Sequence, residues 1–170
     1  QGAELLPFSP LGDEPPPSSA DAIYLPGGYP ELHAGRLASA HRFLEGLRTT
    51  ATRGIPILGE CGGYMVLGRT LEDDDGVMHP MAGLLPLDTS FAKRRLHLGY
   101  RHAVTATATP FGPAGTTLRG HEFHYSSIKA EDAVQPLFHC RDARGTDLGA
   151  IGSIRGSVMG SFLHIVDRAE

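Results

Sequence analysis

Apolar residues along this chain gather in short runs of strand length, cut by glycine and proline, and only one long stretch repeats them at helical spacing. The run Asp13-Glu14-Pro15-Pro16-Pro17-Ser18-Ser19 lacks the backbone donors that a helix or central strand needs, so it predicts a surface loop. Ala22-Ile23-Tyr24-Leu25 predicts a buried strand that stops at Pro26-Gly27-Gly28-Tyr29-Pro30. Over residues 32–53, Leu37, Ala40, Phe43, Leu44 and Leu47 recur at intervals of three and four, predicting an amphipathic helix closed by Gly54. Residues 55–58 predict a second strand. Gly59-Glu60-Cys61-Gly62-Gly63-Tyr64-Met65 follows it as a sharp turn entering a helix, with the cysteine on the turn.

Beyond the acidic turn of Asp73 to Asp75, long helical periods disappear. The runs 84–87, 96–107, 122–126, 137–141 and 157–164 predict a second half made mostly of strands. The order implies one α/β domain over residues 1–170, with no linker and no internal repeat.

Composition agrees with that picture. At 170 residues, 41% hydrophobic and 20% charged, the chain suits a single soluble globular core. The net charge of −4 gives no electrostatic support for a nucleic-acid or anionic-membrane partner. No apolar run approaches the roughly 20 residues that span a bilayer. Two cysteines are too few for a disulfide framework or a four-cysteine zinc site, so a reducing, cytoplasmic setting is expected.

A cysteine between a strand and a helix N-terminus gains from unpaired backbone N–H groups and from the helix dipole, so the Cys61 pKa is expected to fall. In a parallel sheet the Gly27-Gly28-Tyr29 loop lies at the same carboxyl edge as Cys61, where its N–H groups could pair with that of Gly62 as an oxyanion hole. Gly160-Ser161-Phe162-Leu163-His164 brings a histidine to a strand end, as a general base and acid for a thiol. In His121-Glu122-Phe123-His124 strand alternation separates the two histidines onto opposite faces, so no metal site is expected there. Lys93, Arg94 and Arg95 read as a solvated loop, and Cys140 as a bystander on a strand.

Gly27-Gly28-Tyr29-Pro30-Glu31, the 59–65 segment, Arg119-Gly120-His121-Glu122-Phe123-His124-Tyr125-Ser126 and residues 160–164 match, in order and approximate spacing, the class I or triad glutamine amidotransferases. Over residues 3–168 the chain resembles the glutaminase domain of the cobyrinic (hydrogenobyrinic) acid a,c-diamide synthase family. The resemblance implies a flavodoxin-like class I amidotransferase sheet with extra β structure in the C-terminal half. It implies Cys61 as nucleophile, His164 as acid and base, and the N–H groups of Gly28, Tyr29 and Gly62 around the oxyanion. It also implies Gly27, Tyr125 and Ser126 beside glutamine.

Many class I amidotransferases carry Gln where this chain has Met65 and Glu where it has Val166, two positions after the histidine. The group that orients His164 is therefore open among Asp167, Glu60 and Glu122. The resemblance further implies glutamine as substrate, a synthetase domain with ATP, magnesium and a corrinoid, and no cofactor on this domain; it allows a homodimer. No Gly-x-x-x-x-Gly-Lys-[Ser/Thr] segment occurs, so the ATP-dependent half lies elsewhere. The resemblance implies a domain that usually begins one strand and one helix earlier, so the chain is expected to be a C-terminal portion of a larger synthase lacking its opening strand. The related cobyric acid synthase type and a catalytically inert domain of the same fold are the alternatives.

Overall fold

The computed structural model describes residues 2–132 and 134–169. In chain order it contains β1 (Ile23–Leu25), α1 (Ala34–Ala38), α2 (His41–Thr52), β2 (Ile57–Glu60), α3 (Gly62–Leu67), β3 (Thr70–Glu72), β4 (Met78–Pro80) and β5 (Leu87–Ser90). Then come β6 (His97–Thr105), β7 (Thr117–His124), β8 (Ser127–Glu131), β9 (Gln135–Asp142), β10 (Asp147–Arg155), β11 (Val158–Ser161) and β12 (Leu163–Arg168).

Among the described residues the strands form an eight-stranded sheet, β1-β2-β11-β10-β9-β6-β7-β12, and a four-stranded sheet, β4-β3-β5-β8. β1, β2 and β11 run parallel, and the rest of the large sheet is antiparallel. Only Phe162 separates β11, paired with β2 and β10, from β12, paired with β7. One kinked strand therefore ties the last position of the sheet back to its third. Phe162 is buried at this corner, stacked on His124 at 3.9 Å between ring centroids and edge-on to Tyr64 at 5.4 Å.

Two apolar cores result. One packs α1, α2 and α3 against β1, β2 and β5 through residues such as Leu37, Phe43, Leu47, Ile57 and Leu67. The other lies among β6, β7, β9, β11 and β12 and contains Leu118, Phe138, Cys140, Met159 and Leu163.

The helical stripe predicted over 32–53 is buried as expected, but its backbone is not one helix. Pro30–His33 is a 3-10 turn, and a break separates α1 from α2. There Ser39 Oγ donates to the Gly35 carbonyl at 2.8 Å, and Ala40 leaves helical geometry at ψ 71. A side-chain hydroxyl competing for a backbone acceptor ends the first helix while the apolar spacing continues into the second. The 13–19 loop is not wholly superficial either, since Pro15 and Pro16 pack on α2 at Gly46. β2 extends through Gly59 and Glu60, which the sequence places in the turn.

Candidate active site

Parallel pairing sets the site. Leu25 and Gly160 both pair with Gly59, so β1, β2 and β11 end at one edge. From that edge the chain continues as the Gly27-Gly28-Tyr29 loop, as Cys61, and as Phe162 to His164. Cys61 has φ 48 and ψ −103, a left-handed conformation rare for a residue with a Cβ. Its N–H donates to the Ser161 carbonyl at 2.9 Å, and the Gly63 N–H donates to the Pro26 carbonyl at 3.1 Å. Those bonds fix the turn against β11 and the glycine loop.

Two glycines are required by close approach. A Cβ on Gly62 would stand 2.8 Å from the Gly28 nitrogen, and a Cβ on Gly27 would stand 2.6 Å from His164 Cε1. The Gly28 and Tyr29 N–H groups have no protein acceptor among the described residues. Both residues line a cavity of about 270 Å³ together with Gly27, Cys61, Tyr125 and His164. That volume lies near the lower end of the roughly 300–1,000 Å³ of small-molecule sites and is large enough for an amino acid.

The Cys61 thiol donates to the Phe123 carbonyl at 3.7 Å, and no hydrogen bond joins it to His164. Burial, joined by the charges of Glu31, Glu60 and Glu122, pushes its pKa up to about 11, against the bond from the Gly62 N–H. The expected fall does not occur: α3 is only six residues long, and desolvation plus three nearby carboxylates outweigh its N-terminus.

His164 Nδ1 lies 3.9 Å from Glu60 Oε2. Glu60 is itself held, accepting from Tyr24 Oη at 2.7 Å and from the Ile165 N–H at 3.2 Å. With Nδ1 turned to Glu60, Nε2 is the nitrogen left for the cavity. His121 stacks on His164 at 4.9 Å between centroids. Burial pulls the His164 pKa below its usual value; Glu60 opposes this, and His121 and His124 add to it.

The other two carboxylates considered for this role are engaged elsewhere. Asp167 is exposed and pairs with Arg119 at 3.2 Å. Glu122 pairs with Arg101 at 2.6 Å and lies 3.4 Å from His124 Nε2. Ser126 is fully buried, with its carbonyl and hydroxyl against His124 Nδ1 and not in the cavity wall. The predicted alternation of β7 holds, with His121 meeting His164 and Glu122 meeting Arg101. His124, within the 119–126 motif, also lines the cavity, as do Phe91, Met65 and Glu31, to which the sequence reading assigns no role in it. Glu31 and Met65 carry a signal, since each follows a glycine turn, whereas Phe91 stands in a segment with no such mark.

A sequence profile described as the CobB/CobQ-like glutamine amidotransferase domain matches residues 1–169. The chain belongs to this family. Its relatives include the hydrogenobyrinate a,c-diamide synthase of Brucella anthropi, 58% identical over 167 residues, covering 98% of this chain and 38% of that protein. The enzyme of the same name from Mesorhizobium japonicum is 53% identical, over 99% of this chain and 38% of that protein. The chain thus spans 38% of the length of these curated relatives. Among solved structures, a glutamine amidotransferase superposes with TM-score 0.56 at 18% identity, covering 86% of this chain and 71% of that one. PurLQS from Thermotoga maritima gives 0.56 at 22% identity, covering 86% and 69%. The fold is accordingly the α/β class I amidotransferase type with added strands. Among the described residues no helix is long and apolar enough to cross a membrane.

Proposed function

We propose that this chain is the glutaminase unit of a hydrogenobyrinate (cobyrinate) a,c-diamide synthase, releasing ammonia for amidation of corrin carboxylates. The observation that carries this reading is the convergence on one small cavity of Cys61 in a strained turn, His164 beside a carboxylate, and the free N–H groups of Gly28 and Tyr29. The identity to the synthases supports the choice of substrate class.

In the proposed reaction the Cys61 thiol attacks the side-chain amide carbon of glutamine while its proton passes to His164. The carbonyl oxygen becomes an oxyanion facing the N–H groups of Gly62 and of Gly28 or Tyr29. Collapse breaks the C–N bond, and the proton on His164 leaves with ammonia. His164 then takes a proton from water as that water attacks the thioester, releasing glutamate and restoring the thiol. Because both Cys61 and His164 favour their neutral forms, His164 acts as a base during attack and not as a standing imidazolium partner. Glu60 holds the ring and stabilises the charge that appears on it. ATP, magnesium and the corrinoid belong to the remainder of the synthase, since no phosphate-binding lysine motif occurs here, and the setting is cytoplasmic.

A second reading, a catalytically inert domain, draws on the thiol's bond to the Phe123 carbonyl. Glutamate release from glutamine, by the wild type and Cys61→Ala, with and without the synthetase portion, separates the two. Release that depends on Cys61 is expected. Its absence even with the synthetase portion present would establish the inert reading.

A further inference from the structure

Three carboxylates act on Cys61, and two of them are already engaged: Glu60 by Tyr24 and the Ile165 N–H, Glu122 by Arg101. Glu31 is different. It follows the glycine loop in the 3-10 turn Pro30–His33, is half-buried, and lines the cavity that holds Cys61 and His164. Among the described residues no side chain forms a hydrogen bond or ion pair with it, and its own backbone N–H is the donor that reaches it. Burial raises its pKa, with the Arg94 guanidinium opposing from a distance while bonded to Asp74 at 3.0 Å. No lysine or arginine lines the cavity. A half-buried carboxylate with no ion-pair partner, opposed only by the more distant charges of Arg94 and His33, is costly, and a cation entering the cavity would offset that cost.

We infer that Glu31 binds the α-ammonium of the substrate glutamine and makes the cavity specific for a free amino acid. The inference rests on the glutaminase reading and goes beyond it, to which part of the substrate is recognised and by what. In glutamine the ammonium stands three carbons from the amide carbon that Cys61 attacks, so one small cavity must hold both ends. Glu31 and Cys61 occupy its wall together. The carboxylate accepts a charge-assisted hydrogen bond from the ammonium, and a substrate acylated at that nitrogen, such as a peptide-bound glutamine, leaves Glu31 unpaired and is rejected.

The test compares L-glutamine with glutaramate, the same molecule with hydrogen in place of the α-ammonium. kcat/KM for ammonia release is measured with each, in the presence of the synthetase portion, for the wild type, Glu31→Gln and Glu31→Asp. A hydrogen bond to a charged group corresponds to about 10- to 100-fold, so Glu31→Gln is expected to lower the glutamine-to-glutaramate ratio by about that factor, chiefly through KM. Glu31→Asp, which keeps the charge, is expected to retain part of the preference. Equal loss on both substrates would assign Glu31 to the 3-10 turn alone and overturn the subsite, as would an unchanged ratio. Failure of the wild type to release ammonia from either substrate would overturn the glutaminase reading and the subsite with it.

Discussion

His164 lies between groups that pull its proton in opposite directions. Burial and the stacked His121 favour the neutral imidazole, and Glu60, 3.9 Å from Nδ1, favours the charged one. Glu60 can act only because Tyr24 and the Ile165 N–H fix it in place. Replacing it by Gln keeps the bond from the Ile165 N–H, reverses the other so that the amide NH2 donates to Tyr24 Oη, and removes the charge. The His164 pKa then falls further, so the acidic limb of the kcat/KM profile moves to lower pH, because the neutral base persists there. At the same time kcat drops by about 10²-fold or more, since the imidazolium that forms during attack loses its counter-charge. A pH–rate series on Glu60→Gln checks both signs at once. A purely structural loss would lower the whole profile without moving the limb. Asp167→Asn, which breaks only an exposed pair with Arg119, is expected to leave the limb in place.

At the scale of elements, the cysteine turn is only as fixed as α3, and a six-residue helix has little stability of its own. Tyr64 anchors it. The ring is fully buried and edge-on to Phe162, and its hydroxyl meets Ser153 Oγ on β10 at 2.7 Å and Glu131 on β8 at 2.9 Å. Tyr64→Phe keeps the packing and removes the phenol's bonds, while the buried Ser153 Oγ keeps its bond to the exposed Glu131, so an expected cost of about 1 kcal/mol appears in urea unfolding with an unchanged m-value. This anchor was invisible in the sequence, because β10 itself was. Asp147-Leu148-Gly149-Ala150-Ile151-Gly152-Ser153 carries two glycines and a mostly exposed stretch, so it shows neither alternation nor an apolar run. β3, β4 and β8 were missed for a related reason: they are three to five residues long and only partly buried. Cys61, the glycine loop and His164 were legible because strained turns at strand ends demand residue types that little else demands. The choice of Glu60 over Asp167 and Glu122 was not, since it depends on β2 running two residues further than its apolar residues and on the Ile165 N–H of β12 reaching its carboxylate.

Across the whole molecule, two cysteines sit in separate places and share one consequence. Cys140 lies in the second core, and burial, helped by the Glu122 charge, pushes its pKa up to about 12, as burial pushes Cys61 up to about 11. An unfolded thiol titrates near 8.5. Between that value and the folded ones the native state holds protons that the unfolded chain has released, so unfolding is favoured increasingly as pH rises. The contribution is therefore fully present below about pH 8 and is lost progressively up to about pH 12. The phenols of the buried Tyr64 and of Tyr24, which donates to Glu60, are also raised and act in the same direction but only above about pH 10, where unfolded tyrosine begins to ionise. Urea midpoints between pH 8 and 9.5 thus isolate the thiols. The wild type is expected to lose stability steeply over that interval, and Cys140→Ala to start lower, because of the cavity it leaves in the second core, yet decline with about half the slope. Cys61→Ala should halve the slope in the same way, and the double variant should be nearly flat. A slope unchanged by either substitution would mean that neither thiol keeps its proton in the folded protein over this range, and that the thiolate of Cys61 is already populated before substrate arrives.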